Sequence, residues 1–219
     1  MASVIRVLHI ARFAIVIALA PLLLPIAAPV AAQDQSATPA AAVMMSAEDA
    51  IAAATVSDGV LRFDVSENAT RWVFDPDFVH DDGLPAYGST FITQGYIYPA
   101  GTLTESNGVN ADGSPEFPDQ VIGEWICRGW LYGDGAHTTS GPMVVSTQIF
   151  DFGDGDGQAT IVSDGYELAD IGEWVDRAVI GGTGPFTGAE GGSQQTLLGL
   201  NATEGVNLQF EFDLAGAGS

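Results

Sequence analysis

The chain has 219 residues and a formal net charge of −22, because 28 Asp and Glu stand against six basic residues, all of them Arg. The absence of Lys excludes Schiff-base chemistry, a pyridoxal phosphate anchor and the usual phosphate-binding loop. So few cations exclude a nucleic-acid interface. A single cysteine excludes an internal disulfide and a cysteine-rich zinc site, and an apolar fraction of 47% argues against disorder.

Residues 1–32 predict an export signal. A positively charged start with two Arg and one His precedes an apolar run from residue 13 to 28, and small residues at 30–32 provide a cleavage site. The run is shorter than the roughly 20 residues that a stable membrane span needs, so we expect no span after signal removal. The sequence therefore predicts a secreted or extracytoplasmic protein, with an uncleaved N-terminal anchor as the alternative.

Residues 33–58 predict a partly disordered, Ala-rich spacer that takes no part in the core. The stretch contains neither Gly nor aromatic residues. Ser46 is a suitable N-cap for a short helix ending at Ala54, because Glu48 and Asp49 then lie in its first turn, where negative charge is favourable.

Residues 59–219 predict an all-β domain, since this region holds all 27 Gly of the chain. Its clearest strand alternates Leu208, Phe210, Phe212 and Leu214 with polar residues, a period of two with one buried face. Eight or nine antiparallel strands indicate a closed barrel or a sandwich. The predicted strands are 60–65, 70–75, 88–98, 121–132, 143–152, 158–168, 174–181, 193–200 and 206–214.

Three polar segments between strands leave alternatives open. Residues 99–120 form a connection of about 22 residues, which favours either a functional lid or a segment without fixed structure. The acidic clusters at 75–82 and 151–157 are typical of solvated turns, with a weak cation site as the alternative. Neither cluster completes a metal-binding motif, and we expect no metal and no cofactor.

The segment 124–132 carries the candidate site residues. If its apolar face (Trp125, Cys127, Gly129 and Leu131) packs inward, Glu124 and Arg128 are merely solvated. If its mixed face lines a barrel lumen, Glu124 is a candidate for proton transfer. In that arrangement the ligand-binding candidates are Arg128, Trp130 and Tyr132.

The segment 177–191, with the sequence RAVIGGTGPFTGAEG, resembles the Gly-rich hairpin of dirigent proteins and allene oxide cyclases. The strands at 148–152, 159–165 and 207–214 hold the places expected around that hairpin. The resemblance implies an antiparallel, eight-stranded closed barrel with a central apolar cavity, often assembled as a homodimer or homotrimer. Allene oxide cyclases hold a hydrophobic epoxide and dirigent proteins bind phenoxy radicals or quinone methides, but none of their functional residues can be placed on this sequence.

These patterns support three hypotheses about function. The first is an exported barrel that binds a small apolar molecule in its lumen. The second is a cofactor-free cyclase or isomerase that acts on a lipophilic substrate by confinement and a single carboxylate, Glu124. The third is an acidic structural module of the cell surface or matrix.

Overall fold

The computed structural model describes residues 45–57 and 59–215, and the predicted signal at 1–32 lies outside them. One helix, α1, precedes ten strands. The bounds are α1 Ala47–Ala53, β1 Thr55–Ser57, β2 Val60–Glu67, β3 Val73–Phe74, β4 Thr90–Pro99, β5 Gly123–Leu131, β6 Pro142–Phe152, β7 Thr160–Leu168, β8 Trp174–Gly182, β9 Glu190–Leu200 and β10 Val206–Ala215.

Eight of these strands form a closed antiparallel barrel. Strands β2, β10, β9, β8, β7, β6, β5 and β4 are neighbours in that order, and pairing of β4 with β2 closes the sheet. Strands β1 and β3 lie outside the closed ring, on β2 and β4 respectively. The strand order confirms the predicted eight-stranded barrel. Residues at alternate positions of each strand point into it.

A cluster of phenylalanine rings packs inside one end of the barrel. The ring of Phe63 on β2 lies between 5.2 and 5.5 Å, centroid to centroid, from its four Phe neighbours. Each such ring stabilises the fold by about 1.5–3 kcal/mol through burial. The four neighbours are Phe150, Phe152, Phe210 and Phe212, and all five rings are fully buried.

Helix α1 packs against the Phe-filled end. Ser46 caps it as predicted, since its side chain accepts a hydrogen bond from the backbone N–H of Asp49. Ala50 and Ala54 are buried in the same apolar core as the Phe cluster. The expectation that this segment takes no part in the core is therefore wrong, because small side chains allow the helix to approach the barrel closely.

The long connection between β4 and β5 has a defined path along the outer wall of the barrel. Asp64 and Asn207 point outward from β2 and β10, and both bind the backbone of this connection. The Leu103 N–H donates to Asp64 at 2.9 Å, and Asn207 donates to the carbonyls of Thr104 and Asn107 at 2.9 and 2.8 Å. We call residues 99–122 the strap.

Candidate functional site

The end of the barrel opposite the Phe cluster holds a pocket of about 360 Å³. The connections after β2, β5, β7 and β9 form its mouth, since in an antiparallel barrel alternate connections share one end. Its walls are mostly apolar, and they include Trp72, Phe91, Leu131, Met143, Val144 and Leu197. An apolar concavity with a few polar groups is the usual form of a small-molecule site.

The loop between β3 and β4 and the loop between β5 and β6 are joined beside this mouth. Ala136, which lines the pocket, donates its backbone N–H to the carbonyl of Pro85 at 2.9 Å. Gly135 has a φ of +58°, and a Cβ there would lie 2.4 Å from the same Pro85 oxygen. The rings of His80 and His137 stack across the two loops with centroids 3.9 Å apart. Glycine at 135 therefore permits the close approach that defines this side of the mouth.

Glu67, at the end of β2, is the first of two buried Glu side chains that line the pocket, and a third lining residue, Glu204, is exposed. Its side chain is buried, and its Oε2 accepts a hydrogen bond from the Val206 N–H at 2.9 Å. Burial raises the pKa of Glu67 above its usual value, and the nearby charge of Glu167 raises it further. This environment favours the protonated form, which can donate a hydrogen bond or a proton.

Glu167, on β7, is the second carboxylate and is held by three donors. Its Oε1 accepts from Ser146 Oγ and, at 3.4 Å, from Cys127 Sγ. Its Oε2 accepts from Gln195 Nε2 at 3.3 Å. Burial raises the pKa of the Cys127 thiol well above its ordinary value, so Cys127 acts here as a neutral donor and not as a thiolate nucleophile.

Arg177 on β8 lies inside the barrel and holds the hydrogen-bonded group around Glu167 in place. Its guanidinium donates to the Ser146 carbonyl at 2.9 Å, to Ser146 Oγ at 3.1 Å and to the Tyr166 carbonyl at 2.9 Å. Since Ser146 in turn donates to Glu167, Arg177 and Glu167 are linked through one hydroxyl. The arrangement is a positioned carboxylate beneath an apolar cavity.

Two further polar atoms belong to side chains of the pocket wall. Trp125 Nε1 is buried and has no hydrogen-bond partner among the residues that the structure describes. Thr93 Oγ1 is also buried and lies beside Glu67, whose pKa its hydrogen bond lowers. Trp125 is 1% exposed and Thr93 is 2% exposed. A buried polar group without a partner is uncommon in folded proteins.

The four residues proposed from the sequence lie elsewhere. Glu124, Arg128 and Trp130 are on the outward face of β5 and are exposed, and Tyr132 comes just after the strand and is 43% exposed. The hypothesis that the mixed face of this strand lines the lumen is wrong, because the apolar face of Trp125, Cys127 and Leu131 is the buried one. The charges of Glu124 and Arg128 decide the orientation, because burying a charged group without a partner is costly.

Glu67 and Glu167 were not predicted from the sequence. Each continues the inward alternation of its strand, after Phe63 and Val65 on β2 and after Ile161 and Ser163 on β7. Extending those period-two patterns to the last residue of each strand would have placed both carboxylates inside.

The acidic clusters at 75–82 and 151–157 lie mainly in turns between strands. Within residues 45–57 and 59–215, no group of three or more His, Cys, Asp or Glu is arranged to hold a metal ion. In the 151–157 turn, Asp151 instead accepts a hydrogen bond from the Gly157 N–H at 2.9 Å. Across the same described residues, no helix is both long and apolar enough to cross a membrane.

The fold and the pocket define a closed eight-stranded antiparallel barrel that is open at one end. No family model matches the chain, and no curated protein matches it by sequence. Solved structures that are similar to it include a demethylase, a dirigent protein and a Diels-Alderase.

A pyocyanin demethylase is 13% identical, with 71% of this chain and 99% of that chain covered and a TM-score of 0.43. A pterocarpan synthase dirigent protein is 17% identical, with 69% and 90% covered and a TM-score of 0.46. An exo-specific intermolecular Diels-Alderase, AbnU, is 12% identical, with 70% and 97% covered and a TM-score of 0.42. These are likenesses of fold.

Proposed function

We propose that this barrel binds a small, mainly apolar molecule in the pocket at its open end. The observation that carries the proposal is the pocket itself, about 360 Å³ in volume and walled by aromatic and aliphatic side chains. Ligand pockets usually measure about 300–1,000 Å³, so the volume suits a compact molecule of two fused or linked rings. Burial of its apolar surface supplies the affinity.

The test is a titration with N-phenyl-1-naphthylamine, a neutral dye that fluoresces in apolar surroundings. We expect saturable binding to the protein. The substitution Ala169→Trp places an indole in the pocket wall and should weaken binding at least tenfold. Ala178→Trp is the matched control, because Ala178 is exposed on the outer face of β8. Equal binding by the two variants would place the dye outside the pocket and overturn the proposal.

A cofactor-free cyclase or isomerase is the second candidate, now with Glu67 as the proton donor. Burial raises the pKa of Glu67 and the side chain lines the pocket, which are the two properties that a general acid needs. A lipophilic compound collection, incubated with the protein and separated by chromatography, would reveal isomeric products. Products formed equally by Glu67→Gln would exclude this role.

We also propose that the protein is exported. The charged start, apolar run and small residues of the first 32 positions support this location. N-terminal sequencing of the mature protein tests it, with Gln33 as the expected first residue. An intact Met1 on the purified native protein would contradict cleavage.

A further inference from the structure

The unpartnered indole N–H of Trp125 points to a feature of the ligand. An indole N–H can only donate a hydrogen bond, and buried donors are nearly always partnered. Trp125 Nε1 has no acceptor among the described residues, although the side chain is almost fully buried at the pocket. A donor left free at the wall of a ligand-sized cavity is suited to an acceptor that the ligand brings.

Thr93 lies beside Trp125 on the inner surface. Gly95 of β4 pairs with Trp125 of β5, and Thr93 of β4 pairs with Cys127 of β5. Thr93 and Trp125 are therefore diagonal neighbours on adjacent strands, with both side chains on the inward face.

The charges around the pocket disfavour an anion. Glu167 and Glu204 both line it, whereas the guanidinium of Arg177 is directed at Ser146 and the Tyr166 carbonyl. An anionic ligand would therefore meet carboxylates without a free cation among the described lining residues. An uncharged acceptor, such as a carbonyl or ether oxygen, is not repelled by the carboxylates and needs no cation as its partner.

Resting on the proposed function, we infer that the ligand is an uncharged apolar molecule with a carbonyl or ether oxygen, which accepts a hydrogen bond from Trp125 Nε1 at the pocket floor. The oxygen enters first and the hydrocarbon part fills the apolar walls. Trp125 thus selects for an acceptor, and the walls select for shape.

The test compares two probes of nearly identical shape. 2-Acetylnaphthalene carries a carbonyl oxygen where 2-isopropenylnaphthalene carries a terminal =CH2 group. The affinity of each is measured by displacement of N-phenyl-1-naphthylamine. We expect the native protein to bind the ketone about tenfold more tightly, the factor typical of one hydrogen bond. 2-Naphthoate, with a carboxylate in the same position, should bind at least tenfold more weakly than the ketone at pH 7.5.

Two substitutions assign the preference to residues. Trp125→Phe removes the N–H but keeps an aromatic ring, and it should abolish the ketone preference while leaving alkene binding within about threefold. Trp72→Phe is the matched control at the same pocket and should keep the preference.

Nuclear magnetic resonance gives an independent readout, since the chain has four Trp and hence four indole N–H signals. The ketone should move the Trp125 signal downfield, and the alkene should not. Equal affinity for ketone and alkene in the native protein, with an unmoved Trp125 signal, would overturn the inference while leaving binding in the pocket intact. Failure of the dye and both naphthalenes to bind would instead overturn the proposed function.

Discussion

Asp64 is an acid placed where its charge is costly. It is fully buried on the outer wall of β2, beneath the strap. Burial raises its pKa from 3.8 to about 6, although hydrogen bonds from the strap backbone, including the Leu103 N–H, oppose the shift. The native state therefore holds this proton more strongly than the unfolded chain does.

Asp64→Asn should stabilise the protein at pH 7.5 and have little effect at pH 3.5. A carboxyl group whose pKa is raised on folding costs nothing below its unfolded pKa, and the cost develops as pH rises from about 4 to about 6. A shift of about two units corresponds to a gain of up to about 3 kcal/mol at neutral pH.

Urea denaturation at the two pH values measures the gain. Asp213→Asn is the control, because it removes the same charge from an exposed position on the neighbouring strand β10. An equal effect of the two substitutions at pH 7.5 would show that net charge, and not the burial of Asp64, is responsible.

At the scale of elements, the strap depends on a buried amide. Asn207 donates to the carbonyls of Thr104 and Asn107, and its Oδ1 accepts from Ser66 Oγ at 2.6 Å. These bonds tie the long connection to strands β2 and β10. None of the described residues that line the pocket comes from the strap, so the strap braces the wall and does not cover the mouth.

Asn207→Ala should loosen the strap. It leaves buried hydrogen-bonding groups without partners, each worth about 1–3 kcal/mol, and we expect a total loss of about 2–4 kcal/mol in unfolding free energy. A Glu-specific protease should then cut faster at Glu105 and Glu116. Asn110→Ala is the matched control, since the hydrogen bonds of Asn110 are exposed. Unchanged cleavage in Asn207→Ala would contradict the bracing role.

The strands could be predicted from sequence because alternation is a local property. The pattern from Leu208 to Leu214 gives a strand and its buried face without further information. The face of β5 was ambiguous, since Ile126 and Trp130 make its outer side apolar as well. The site was harder still, because Glu67 and Glu167 become a pair only when β2 and β7 face each other across a closed barrel. The path of the strap depends equally on contacts between distant residues.

At the scale of the whole molecule, the charge is nearly unopposed. In the part of the chain that the structure describes, Arg62 forms an ion pair with Glu211 at 2.9 Å, and His137 Nε2 lies 2.9 Å from a carboxylate oxygen of Asp82. Against a formal net charge of −22, these contacts leave most carboxylates repelling one another.

The melting temperature should therefore rise when sodium chloride increases from 10 to 500 mM at pH 7.5. Added salt shortens the screening length from about 30 Å at 0.01 M to below 10 Å and weakens the repulsion. Calorimetry at pH 4 is the control, because many carboxylates are then protonated and the salt effect should shrink. A melting temperature indifferent to salt at pH 7.5 would contradict this expectation.

The Phe cluster at one end of the barrel has a consequence for how any guest is oriented. Because that end is solid, a bound molecule has a single direction of entry, and its trailing part faces solvent. A compound attached by that trailing part to a resin or a larger carrier would still bind. The barrel is thus open to a ligand at one end alone, and it is suited to binding the leading part of a molecule whose remainder stays in solvent.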